Sequence, residues 1–235
     1  MKYYLSLGVL KFLINFNYRF EESKAEFDDF IDYVKTSEYS QYILYNIGPN
    51  ELGSNEQSNI GMLKTLVRQH TSENDYVIPA DSDEFHQYAH PPQSLPDVIT
   101  MMSTNNIAYM VGATCERISD DGSVIPVQDD LDLFNQFPKH NPKLFVMPKI
   151  SIIQAKYYQY IGVGHHYIDK KHVDTLSLVS TRQGVTHHFR WNLQGKMRIE
   201  NWIKLWTNEG YKGWKDVSKY EKMLRVFETN LIEYR

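Results

Sequence analysis

The chain has 235 residues, 42% hydrophobic and 23% charged, which suits one large globular domain or two small ones with a substantial core. A net charge of −4 leaves no electrostatic footprint for nucleic acid or an anionic membrane. Cys115 is the only cysteine, so an intramolecular disulfide is excluded, a cysteine-based zinc site is disfavoured and a reducing, cytoplasmic compartment is expected.

The start, Met1-Lys2-Tyr3-Tyr4 running into Gly8, lacks the small-residue cleavage site of a signal peptide. No apolar run approaches the roughly 20 residues of a membrane span. Residues 2–8 are expected to end a helix, with Gly8 as its C-terminal stop. Lys11 to Tyr18 then reads as a strand. Ser23 with Glu26 forms a capping-box pattern, and Phe27, Phe30, Ile31 and Val34 follow on one helical face. Tyr42 to Ile47 reads as a second strand. A helix carrying Ile60, Leu63, Leu66 and Val67 comes next. Tyr76 to Ala80 reads as a third strand that runs into Asp81-Ser82-Asp83-Glu84. Ser94 and Asp97 cap a helix with Leu95, Val98, Ile99 and Met102, and Ile107 to Ala113 is another strand.

This alternation predicts an α/β fold with a mostly parallel sheet flanked by helices. Residues 114–190 read as irregular and strand-like. Two helices close the chain, one with Ile199, Trp202, Ile203 and Trp206, the other with Val217, Tyr220, Leu224, Phe227 and Leu231. The expected organisation is a single domain over 1–235, with a nucleotide-binding half at 1–113 and a second half at 114–235.

The acidic cluster carries the chemistry. Two aspartates one residue apart at a strand end make a compact hard-oxygen site suited to Mg²⁺ or Mn²⁺ bridging phosphates. Acidic triplets also decorate solvated loops, but the apolar strand before this one and Phe85 after it argue against a purely solvated loop. Nine histidines include the pairs His165-His166 and His187-His188. Adjacent residues on a strand point to opposite faces, so at most one of each pair enters a given site. One of His187 and His188 is a candidate to complete coordination begun by Asp83.

Tyr76-Val77-Ile78-Pro79-Ala80-Asp81-Ser82-Asp83-Glu84-Phe85 resembles the strand–Asp-x-Asp-Glu-Phe segment of family 2-like glycosyltransferases of the GT-A fold. Glu116-Arg117-Ile118-Ser119-Asp120-Asp121-Gly122, Gln136-Phe137-Pro138, Lys143 to Pro148, Gly162 to His166, and His188-Phe189-Arg190-Trp191 extend the likeness in order. The likeness runs over about residues 1–205, and its nearest groups are bacterial surface-glycan and large algal virus capsid-glycan transferases. It implies a GT-A-like fold and transfer of a sugar from a nucleotide-diphosphate donor, UDP-sugars first, to a glycan or other hydroxyl acceptor. Mn²⁺ or Mg²⁺ would be the cofactor.

The resemblance also implies roles. Asp83 and His188 would bind the metal, Asp81 and Ser82 would face the donor, and Arg190 and Lys143 would contact its phosphates. An inverting transfer needs a carboxylate base. Glu116 is preferred over Asp121, Asp129, Asp130 and Asp132, because it follows a strand and matches an acidic family position. One departure stands out: the family opens with a strand–loop–helix, and Lys2 to Val9 resembles only the end of that helix, so the first central strand is expected to be missing. Two alternatives stay open. One is a non-catalytic or truncated relative that binds a nucleotide or glycan. The other is a metal-dependent phosphohydrolase or nucleotidyltransferase using the same acids.

Overall fold

The computed structural model describes residues 1–16, 24–47, 56–88, 94–129, 131–144, 147–169, 171, 178–179, 184–208 and 217–232. It is an α/β protein with mixed sheets. Two compact units are formed. The first comprises Met1–Pro79, Tyr88–Gly112 and Pro148–Gly184; the second comprises Ala80–Gln87, Ala113–Met147 and Val185–Arg235. Along the sequence the chain passes from one unit to the other at 79/80, 87/88, 112/113, 147/148 and 184/185. The acidic cluster belongs to the second unit, and Pro148–Gly184 belongs to the first.

The first unit opens with α1 (Lys2–Ser6). Gly8 has φ +93°. Its N–H donates to Leu5 O at 2.9 Å, and Val9 N–H donates to Tyr4 O at 3.0 Å. This is the paired closure of a Schellman cap, which needs a left-handed residue where glycine stands. β1 (Phe12–Phe16) and β2 (Ile43–Ile47) pair in parallel, from Phe12↔Ile43 to Phe16↔Ile47, as a two-stranded sheet. Between them lies α2 (Lys24–Thr36), which buries Ile31 and Val34. Phe30, expected on the same buried face, is 47% exposed and sets its ring edge-on to Phe16 at 5.5 Å. Ser23 of the expected capping box lies outside the described residues.

α3 (Glu56–His70) leads to β3, which holds only Tyr76–Val77. The strand expected over 76–80 therefore stops early. Pro79 has no N–H to give a ladder and restricts the residue before it. β3 runs antiparallel to β7 (Pro148–Gln154), with Tyr76 opposite Gln154. Among the described residues no strand joins β1 and β2 to β3. α4 (Leu95–Thr104) has the full capping box: Ser94 Oγ accepts from Asp97 N–H and the Asp97 carboxylate accepts from Ser94 N–H. Ile60 and Val67 of α3 pack with Ile150 and Ile153 of β7. Leu95, Val98 and Met102 of α4 pack with Ile152. Lys149 to Ile153 are each at most 1% exposed, so β7 is covered on both faces, as a central strand should be.

β5 (Tyr109–Ile118) passes through both units. β8 (Leu178–Val179) pairs in parallel with its first residues. In the second unit β6 (Lys139–His140) pairs antiparallel with Arg117 and Ile118, and β9 (Gly184–His188) pairs in parallel with residues 113–116. β4 (Glu84–Tyr88) lies beyond β9, which gives the order β3-β7-β5-β9-β4. The sheet is mixed rather than mostly parallel. Strand direction is set by how the chain returns from one strand to the next, which the apolar pattern of a strand does not encode.

α5 (Leu133–Gln136) is one turn, capped by Asp132. α6 (Leu193–Asn208) and α7 (Val217–Phe227) close the chain. Ile199, Met223, Val226, Phe227 and Leu231 pack with the fully buried Trp191 and with Ile118 and Leu144. No helix among the described residues is long and apolar enough to cross a membrane.

Candidate functional site

The second unit brings segments distant in sequence to one place. Asp81 O accepts from Glu84 N–H at 3.1 Å, and the buried Glu84 carboxylate accepts from Asp81 N–H at 3.0 Å. This closed turn leaves Asp81 and Ser82 exposed and sends Asp83 inward. The backbone then locks the turn to β9: Phe189 N–H donates to Asp83 O at 2.9 Å.

β9 settles which histidine faces which way. Its register puts Glu116 opposite His188 and Cys115 opposite His187. Alternation therefore places Thr186 and His188 on one face and His187 on the other. His188 Nδ1 lies 3.0 Å from Glu116 Oε1, and its Nε2 lies 3.5 Å from Asp83 Oδ1. Donation from Nδ1–H to Glu116, assigned from the hydrogen-bond network, leaves Nε2 as the ring atom facing Asp83. On the opposite face His187 accepts at Nδ1 from Arg117 Nε at 3.1 Å, and its Nε2 donates to Gln87 Oε1 at 2.7 Å. Burial, Arg117 and His140 push His187 down to about 4, which matches its neutral bonding pattern.

Glu116 is the hub. Its side chain is fully buried. Oε1 accepts from His188 Nδ1 and from Arg190 NH2 at 2.7 Å. Oε2 accepts from Arg190 Nε at 3.2 Å and from Trp191 Nε1 at 2.7 Å. Burial alone would raise its pKa, but the bond and charge of His188 and the Arg190 guanidinium hold it below the ordinary value. Asp83 is likewise held well below the carboxylate range, with His188 and Arg198 outweighing its burial. Burial would lower His188, yet the bonds to Asp83 and Glu116 raise it to about 9.

The corner after β9 keeps these groups in register. Asn192 accepts from Gly195 N–H at 2.7 Å, and its amide donates to Phe189 O. A Cβ at Gly195 would collide with the Arg190 carbonyl oxygen. α6 then carries Arg198 back to the site: its NH2 donates to Asp83 Oδ2 at 3.1 Å, 115 positions away in sequence.

Lys143 is exposed, and its backbone N–H donates to Asn141 Oδ1 at 2.9 Å. Its side chain makes no described contact with the Asp83–His188 pair. Asp121 closes the Ser119–Ser123 turn by accepting from both serines. Asp132 caps α5, Asp129 is exposed, and Asp130 lies outside the described residues. His166 belongs to the first unit, with Nδ1 at 2.8 Å from Pro148 O.

No protein-family model and no curated protein matches this chain.

The donor set bears on the expected cation. Among the described residues no group of three or more His, Cys, Asp or Glu side chains is placed to hold a metal ion. Asp83 offers a carboxylate oxygen, and His188 Nε2, 3.5 Å away, becomes a second ligand atom only on giving up the proton that its raised pKa of about 9 keeps there. One or two protein ligands suit a Mg²⁺ or Mn²⁺ that keeps waters and binds chiefly through substrate phosphates. Glu116 stands behind His188, where a histidine that binds a metal usually has a carboxylate support. The described residues therefore do not make an all-protein cage, and a cation there would need phosphate oxygens and waters for most of its ligands. Sequence reasoning missed Arg198. It also missed the anchoring position of Glu116, which only the β5–β9 register reveals.

Proposed function

We propose that the chain is a metal-dependent glycosyltransferase that takes a nucleotide-diphosphate sugar and Mn²⁺ or Mg²⁺. One observation carries the reading: Asp83 and His188 converge from distant segments with Glu116 fixed behind the imidazole. Asp83 and His188 would hold the cation, which when bound neutralises the charge developing on the departing diphosphate. Glu116 orients His188 and Arg190 at once. Asp81 and Ser82, exposed on the same turn, would meet the donor.

Glu116 does not suit the role of acceptor base. Its side chain is fully buried, and each oxygen already accepts two hydrogen bonds. A base must reach the proton it abstracts. In this reading Glu116 positions other groups and does not touch substrate. The same observation favours a second reading, a nucleotide-binding relative without transfer activity.

Calorimetry with UDP and Mn²⁺ tests the first step. Asp83→Asn should abolish metal-dependent binding while leaving the fold intact, and unchanged affinity removes the proposal. A radiolabelled donor panel with a glycan acceptor extract then separates the readings. Released nucleoside diphosphate with labelled acceptor supports transfer, and binding without turnover supports the second reading. Released phosphate alone points to hydrolysis instead.

A further inference from the structure

We infer that Arg198 is a built-in counter-cation that couples divalent-cation binding to phosphate binding at Asp83. The inference rests on the cation–diphosphate reading of this site and assigns it a residue that the sequence motifs do not contain. Arg198 NH2 holds Asp83 Oδ2 at 3.1 Å while His188 Nε2 faces Oδ1. Its guanidinium also lies over the Trp202 ring, 5.5 Å from the centroid, one helical turn along α6. The Arg198 side chain is 45% exposed, whereas that of Arg190 is 22% exposed and forked onto the buried Glu116. Of these two arginines, Arg198 is the one whose donors can turn to a new anion without breaking a buried pair.

The consequence follows from competition. A divalent cation and the guanidinium both draw on the Asp83 carboxylate, so the cation binds against Arg198 when no phosphate is present. A diphosphate at the site gives the planar guanidinium a bidentate partner of its own. Asp83 Oδ2 is then released to the metal, while Oδ1 still faces His188 Nε2. Each ligand removes part of the cost of binding the other, and the coupling is reciprocal. A plain phosphate contact would lack this feature, because removing it would leave the metal's own affinity unchanged.

The test uses the full chain and Arg198→Met, which keeps an unbranched apolar stem against Trp202. Mn²⁺ binding alone is followed by the loss of free Mn²⁺ signal in electron paramagnetic resonance. UDP binding is measured by calorimetry with and without Mn²⁺. In Arg198→Met, Mn²⁺ alone should bind about two- to fivefold tighter, the scale of an exposed ion pair removed from competition. UDP in the presence of Mn²⁺ should bind about tenfold or more weakly, the scale of a lost charge-assisted hydrogen bond. The factor by which Mn²⁺ and UDP strengthen each other should shrink. Unchanged or weaker Mn²⁺ binding overturns the inference. Asp83→Asn separates the two layers: if it leaves Mn²⁺ binding intact, the cation site itself falls. If it abolishes binding but Arg198→Met does not tighten it, only the coupling role falls.

Discussion

Replacing Glu116 by glutamine exposes how much rests on one buried carboxylate. The substitution keeps shape and removes charge. Each Glu116 oxygen accepts two hydrogen bonds: Oε1 from His188 and Arg190, Oε2 from Arg190 and Trp191. Whichever oxygen becomes an amide nitrogen, two donors then face a donor in a fully buried site. Leaving buried donors unsatisfied, with a guanidinium among them, costs roughly 3–5 kcal/mol. For a protein of this size that corresponds to a fall of roughly 6–20 °C in melting temperature. Chemical denaturation should register the loss in the unit that holds the site. The same variant should bind Mn²⁺ about 10- to 100-fold more weakly, since His188 loses the partner that orients its ring. A stability loss under about 1 kcal/mol, with Mn²⁺ affinity unchanged, would refute the hub.

Gly195→Ala should destabilise the protein by roughly 1–3 kcal/mol in urea denaturation, because a Cβ there meets the Arg190 carbonyl oxygen; an unchanged midpoint would show that the corner relaxes freely. His188→Ala should weaken Mn²⁺ binding far more than His166→Ala, whose ring is bonded to Pro148 O in the first unit. An equal or reversed ranking reassigns the ligand. The Asp121 carboxyl is held down to about 2 by hydrogen bonds from Ser123 and Ser119. A depressed carboxyl contributes stability that is present above its unfolded value, about 3.8, and lost as pH falls through about 2. Carbon-detected NMR titration should find that midpoint, and Asp121→Ala should flatten the acid limb of the stability profile; a midpoint near 3.8 would remove the turn's role.

Local signals in the sequence were read well where local chemistry decides the outcome. The helix stop at Gly8 and the Ser94–Asp97 box each depend on a few adjacent residues, and both stand in the structure. Asp83 was picked out as a candidate ligand by its type and place; strand alternation allowed at most one of His187 and His188, and the choice of His188 came from the resemblance. β4 was not legible. Glu84-Phe85-His86-Gln87-Tyr88 lacks the β-branched residues that mark strands, and it buries its polar members Glu84 and His86. The mixed sheet escaped because periodicity reports burial and says nothing of strand direction. Arg198 escaped for a related reason: an arginine on an amphipathic helix is ordinary, and its partner lies 115 positions away. Glu116 drew notice as an acid after a strand, but nothing local tells a solvent-facing carboxylate from one enclosed by three donor side chains.

The corner from β9 into α6 sets a constraint of length as well as of identity. His188 is aimed by a strand with a two-residue period, and Arg198 by a helix that turns about 100° per residue. Asn192 and Gly195 clamp the join between them. Inserting or deleting one residue between His188 and Arg198 would leave the composition of the segment almost untouched. It would nevertheless swing Arg198 about a quarter-turn around α6, away from Asp83. A change of spacing in this stretch should therefore be rejected even where exchange of exposed side chains such as Leu193 and Met197 is tolerated, so that the segment behaves as a ruler between His188 and Arg198.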